Sequence, residues 1–143
     1  MVKLPAGSSG GQGTPPHVKK GMVPAMTIAD VQRILQAELV SPNVCLDTEV
    51  HNACGSDMMS DVLAFVKDQS VLLTGLVNPQ VVRTADMMDM VCVVFVRGKE
   101  PSAEMVELAE DRGIALLKTP LRMFTACGLL YESGLHGGDD VRR

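Results

Sequence analysis

Four short stretches carry residue types that could hold an anion: Cys54-Gly55-Ser56-Asp57, Thr74-Gly75 with Asn78-Pro79, Arg97 to Ser102, and Lys118-Thr119-Pro120. Glycine lets a ligand approach the backbone, and Ser, Thr and Asn offer hydroxyl or amide donors. Arg83, about one turn beyond Pro79, adds a counter-charge, and Lys118 precedes Thr119. The candidate ligand-binding residues are therefore Gly55, Ser56, Thr74, Gly75, Asn78, Arg83 and Thr119. The ligand they suit is a small anion or a nucleotide phosphate. A plainer account covers the same residues: these types also make tight turns and helix caps.

Other chemistries find less support. Neither GxGxxG nor GxxxxGK[ST] occurs, so a dinucleotide or P-loop site lacks its backbone cradle. His51 and Cys54 form an HxxC pair, but a zinc site takes three or four ligands. His51 is expected to point out of a strand and Cys54 into the core. A helix N-terminus can make a thiol acidic, but no His or second Cys stands beside Cys54, which reads as inert. Glu104, Glu107, Glu110 and Asp111 read as a solvated helix face, and the GGDD string at 137–140 as a chance match. No nucleophile–base set emerges. No metal, no cofactor and no catalytic residue is expected.

The elements that position these stretches follow from apolar periodicity. Val71–Thr74 and Met90–Val96 are short runs apolar on both faces, joined through a helix over Gln80–Met88. That is the mark of parallel strands inside a covered sheet. A first helix is predicted over Thr27–Leu39, with Thr27 and Asp30 in a capping-box arrangement and Ile28, Val31, Ile34 and Leu35 as its stripe. A short strand at Val44–Leu46 and another at Glu49–Ala53 are predicted next. Ser56 is the expected cap of a helix running to Lys67. Ser102 opens the helix that Gly113 closes, Ile114–Leu117 is the next strand, and Thr119-Pro120 open the last helix. The fold class is α/β: three layers, a mainly parallel sheet of four to five strands, and helices on both faces. Residues 1–25 are Gly- and Pro-rich without apolar periodicity and read as a disordered tail, as do 136–143; the folded domain spans 26–135.

Composition narrows the partners. The chain has 143 residues, a 46% hydrophobic fraction and a net charge of −4. It holds no Trp, one Tyr and three Phe, so neither the basic footprint nor the aromatic platforms of a nucleic-acid binder are present. No apolar run is long enough to span a bilayer, so no membrane partner is expected. The four Cys form no CxxC and suit reduced thiols in a cytoplasmic protein. Ten Met stand in for the missing aromatics. Three of them crowd one helix end: Met87, Met88 and Met90. This cluster is the candidate dimer contact. Met88 is its outward member, and Met87 and Met90 lean toward the core.

Three stretches in this order resemble the DRTGG domain family: SDMMSDVLAFVKDQSVLLTG at 56–75, NPQVVRTADMMDMVCVVFVRGKEP at 78–101 and AEDRGIALLKTPLRMFTACGLLYESGL at 109–135. The likeness covers about residues 26–135, although the literal string Asp-Arg-Thr-Gly-Gly does not occur. The resemblance implies a domain similar to the N-terminal domain of HPr kinase/phosphorylase without its catalytic P-loop domain. Similar domains sit beside CBS domains in regulated pyrophosphatases and help make dimer contacts. Free-standing ones occur in anaerobic bacteria, often encoded near iron-only hydrogenases. The leading expectation is thus a non-catalytic regulatory or ligand-sensing module, a homodimer acting on a partner enzyme. The alternatives are an adenine-nucleotide or small-anion binding domain, and a small phosphotransferase related to kinases.

Overall fold

Val71, Leu72 and Leu73 in one strand and Val93, Val94 and Phe95 in the next are at most 1% exposed, so the sheet they share must be covered on both sides. The computed structural model describes residues 25–65 and 68–138. Nearly all of the expected N-terminal tail, the helix end at Val66 and Lys67, and 139–143 lie outside the described residues. In chain order the elements are β1 (Met26–Thr27), α1 (Ile28–Leu35), β2 (Glu38–Leu39), β3 (Glu49–Val50), β4 (Asn52–Gly55), α2 (Met59–Val62), β5 (Ser70–Thr74), α3 (Pro79–Met87), β6 (Met90–Phe95), α4 (Ala103–Arg112), β7 (Ala115–Lys118) and α5 (Met123–Glu132).

The main sheet has five strands in the order β2-β7-β6-β5-β4. β4 to β7 are parallel, and β2 lies antiparallel on β7. β1 and β3 form a small antiparallel pair of their own. Each crossover steps to the adjacent strand, and its helix lands on the same face of the sheet. There Val62 of α2, Val81, Val82 and Ala85 of α3, and Met105 and Ala109 of α4 pack on Leu72, Val93, Phe95 and Leu116. On the opposite face Val31 and Leu35 of α1 and Ala126, Leu129 and Leu130 of α5 cover Val71, Leu73, Val94 and Leu117. The α/β class, the parallel core and the helices on both faces are as the sequence indicated. The capping box is present too: Asp30 N–H donates to Thr27 Oγ1 at 3.3 Å and Thr27 N–H to Asp30 Oδ2 at 2.9 Å.

Several local expectations are corrected. α1 stops at Leu35 because Gln36 turns left-handed, φ 51°. The Gln36 and Ala37 N–H groups then bond back to Arg33 and Gln32, an ending that usually falls to glycine. The chain freed at Glu38–Leu39 becomes β2. Val44–Leu46 forms no strand; the Leu46 carbonyl instead accepts from Ala29 N–H in the first turn of α1. α2 is a single turn capped by Met58 without a side-chain bond, and Ser56 Oγ accepts from Met58 N–H instead. α5 begins only after Arg122, leaving Thr119 and Pro120 in the loop. Met88 and Met90 are buried in the core, whereas Met87 is 53% exposed. Met90 is buried as expected, but Met87 and Met88 exchange places because α3 ends at Met87. Asp89 then takes a left-handed turn, φ 57°, that folds Met88 under the helix.

Two features lead to measurable outcomes. The Thr84 hydroxyl on α3 is buried with no hydrogen-bond partner among the described residues. An unsatisfied buried hydroxyl costs about 1–3 kcal/mol, so Thr84→Val is expected to raise the unfolding free energy in urea by about 1 kcal/mol. A loss of stability would show that the hydroxyl is satisfied. Before β4, His51 Nδ1 lies 3.1 Å from Asp68 Oδ1, and this hydrogen bond holds the imidazole above its ordinary 6.5. A raised folded-state value gives a contribution that is complete below the ordinary value and lost as pH rises through the raised one. The melting-temperature difference between the native chain and His51→Gln should therefore be largest between 3.8, the ordinary value of Asp68, and 6.5, then fade at higher pH. A difference that does not fade as pH rises above 6.5 would exclude the pair as its source.

Candidate functional site

The loops after β4, β5, β6 and β7 all leave the carboxyl edge of the sheet, where ligands of open α/β sheets bind. Because every crossover steps to its neighbour, the parallel strands contain no reversal of order to open a crevice between loops. The loop after β5 is met by side chains from both neighbouring loops. From the β4 side comes Asp57, whose Oδ1 accepts from Gly75 N–H at 2.7 Å and from the Thr74 hydroxyl at 3.0 Å. From the β6 side comes Arg97. A Cβ on Gly75 would stand 2.5 Å from Arg97 Nη2, so the guanidinium lies directly across the glycine.

The backbone holds Arg97 in place. It adopts a left-handed conformation, φ 58°, uncommon for a side chain of this kind. Its N–H donates to the Leu121 carbonyl and the Gly98 N–H to the Thr119 carbonyl, both at 2.7 Å. Among the described residues Arg97 enters no ion pair. Lys118, in contrast, bonds Glu100 and lies 3.8 Å from Glu38, so its charge is already answered. The accessible cation of this edge next to Gly75 is Arg97.

The residues singled out in the sequence divide by role. Thr74 and Gly75 come together with Asp57 and Arg97. Thr74 Oγ1 also accepts from Leu76 N–H at 3.1 Å, which shapes the turn. Asn78 caps α3, its Oδ1 accepting from Gln80 N–H at 2.8 Å. Thr119 is fully buried; its hydroxyl donates to the Leu35 carbonyl at 2.7 Å and accepts from Leu121 N–H at 3.2 Å, tying α1 to the last loop. Gly55 makes room for α5, since a Cβ there would meet Cys127 Sγ at 2.7 Å. Arg83 shares a groove between α3 and α4 with Glu104, Glu107 and Asp111. The structure thus gathers Thr74 and Gly75 into one cluster and gives Asn78, Thr119 and Gly55 structural tasks. Asp57 and Arg97 are the members that sequence reasoning missed. The loop starting at Arg97 was legible as a strand end, which was the available signal.

Two other concavities have different characters. At the amino edge a cleft of about 510 Å³ is lined by Asp68, Asp86, Asp89 and Arg112, with Arg112 bonded to Asp86. Between β4, β5 and α5 lies a cavity of about 170 Å³, lined by Leu73, Cys127, Leu130 and Tyr131. Tyr131 stacks on His136 with ring centroids 4.2 Å apart. Burial pushes the thiols of Cys54 and Cys127 up from their ordinary value, which lowers their nucleophilic fraction. The chemistry that the carboxyl-edge cluster can perform is recognition. It sets a backbone N–H and a hydroxyl, both donating to Asp57, beside the Arg97 guanidinium, a donor set that suits an acceptor-rich group.

No helix among the described residues is long and apolar enough to cross a membrane. Neither a protein-family model nor a curated protein matches the chain. Among solved structures it is similar to the CBS and DRTGG domains of the regulatory region of Clostridium perfringens pyrophosphatase, complexed with the activator diadenosine tetraphosphate. The TM-score is 0.59 at 17% sequence identity, over 81% of this chain and 53% of that one. The chain therefore spans about half the length of that structure. What the two share is the fold.

Proposed function

We propose that this chain is a regulatory, ligand-sensing module of DRTGG type that binds a small anionic ligand, a nucleotide phosphate in the first place, at the carboxyl edge of its sheet. The observation that carries the reading is the guanidinium of Arg97, in no ion pair among the described residues, lying across Gly75 beside the Thr74 hydroxyl. A cation, a close-approached backbone and a hydroxyl converge there, and this set complements phosphate oxygens. The similarity to a regulatory region solved with diadenosine tetraphosphate supports a nucleotide as the first ligand to try. The module acts in the cytoplasm as a homodimer and passes its ligand state to a partner enzyme, a hydrogenase being one candidate on the family resemblance. Met87 and Phe124, 53% and 90% exposed, offer apolar contact surface for such assembly.

Calorimetry against ATP, AMP, diadenosine tetraphosphate and pyrophosphate tests the ligand. Binding of at least one is expected, weakened about tenfold or more in Arg97→Ala, the weight of a charge-assisted hydrogen bond. Absence of heat and of any thermal shift with all of them would reject the reading. Light scattering at micromolar concentration tests assembly: twice the chain mass is expected, and a monomer would remove the homodimer.

A further inference from the structure

The anion cluster already contains an anion. Asp57 offers one carboxylate oxygen to both donors of the β5 turn, the Gly75 N–H and the Thr74 hydroxyl. Those are the groups a phosphate or carboxylate of a ligand would need. Asp57 is exposed, and no other hydrogen bond or ion pair holds its side chain among the described residues. It forms no ion pair with Arg97, although both side chains meet the same glycine. The helix that follows it, α2, is one turn long and its cap has no side-chain bond.

We infer that Asp57 is a tethered competitor for the anion subsite, and that ligand binds by exchange: its anionic group takes the Gly75 N–H and the Thr74 hydroxyl, pairs with Arg97 and displaces the Asp57 carboxylate. The inference rests on the proposed site and adds its regulation. No covalent bond changes. Two hydrogen bonds to Asp57 are replaced by two to the ligand, and the released carboxylate returns to water. A carboxylate held close by a short loop competes at high effective concentration, so it sets the ligand level at which the module responds. The displaced loop leads straight into α2, whose Val62 is buried against the β5–β6 face of the sheet. Exchange at Gly75 is thereby coupled to the position of α2.

The test is calorimetry of the full chain with ATP and with inorganic pyrophosphate, comparing the native sequence, Asp57→Ala, Asp57→Asn and Asp61→Asn. Asp61 is an exposed acid in α2 without contact to Gly75, so Asp61→Asn measures the effect of charge alone. Asp57→Ala is expected to bind about tenfold more tightly than the native chain, as follows from removing a tethered competitor. Asp57→Asn, which keeps the size of the side chain, should fall between the two, and Asp61→Asn should change affinity by less than about twofold. Should Asp57→Ala fail to fold by circular dichroism, Asp57→Asn against Asp61→Asn decides alone. Native binding with no gain in the Asp57 variants, or an equal gain in Asp61→Asn, overturns the inference and leaves the site standing. No binding of either probe to any variant overturns the inference, and the site falls with it if AMP and diadenosine tetraphosphate also fail to bind.

Discussion

The structure depends on two adjacent strands that have no polar side to offer water. β5 is buried throughout and β6 nearly so, and each fully buried Val or Leu contributes about 1.5–3 kcal/mol relative to exposure. A strand pair of that kind is stable only as the middle layer of three. The rest of the chain meets that demand. α2, α3 and α4 arrive as crossovers on one face, and α1 and α5 close the other from the two ends of the domain. The cluster around Gly75 is a consequence of the same arrangement, since parallel strands deliver their successive loops to a single edge.

How much of this was legible depended on the range of the cause. β5, β6 and β7, and the helices α3 and α4 between them, are written in local periodicity and caps; Asn78, Pro79, Ser102 and Gly113 play the parts their types suggest. β2 was not legible. It exists because Gln36 accepts a left-handed backbone normally left to glycine, and because Leu39 finds Leu117 far along the chain. Met87 and Met88 exchange their expected places for a similar reason: one left-handed residue, Asp89, decides which of the two adjacent side chains goes inward.

The candidate site shows the same division. Thr74 and Gly75 stand out by type, and their turn is local. Their partners come from Asp57, seventeen residues before Thr74, and from Arg97 in the loop after the following strand. Neither contact follows from spacing, because each requires the register of two neighbouring parallel strands. Thr119 is the converse case. Its type suggested ligand contact, but the burial of its hydroxyl against the Leu35 carbonyl makes it a fastener between α1 and the loop that carries Arg97.

The edges of the sheet bear on how copies of this chain can meet. Along β4, the Ala53 N–H donates to the His136 carbonyl at 2.8 Å, so the segment after α5 occupies part of the outer face of that strand. At the far side β2 is two residues long, with Glu38 exposed and facing Lys118 across the ladder. A short, charged strand and a strand already engaged by its own chain are poor templates for adding another strand. Sheet-to-sheet continuation is thus disfavoured at both ends. Association that leaves this fold intact is directed to helix faces, where geometry is set by side-chain packing and a small rotation costs little.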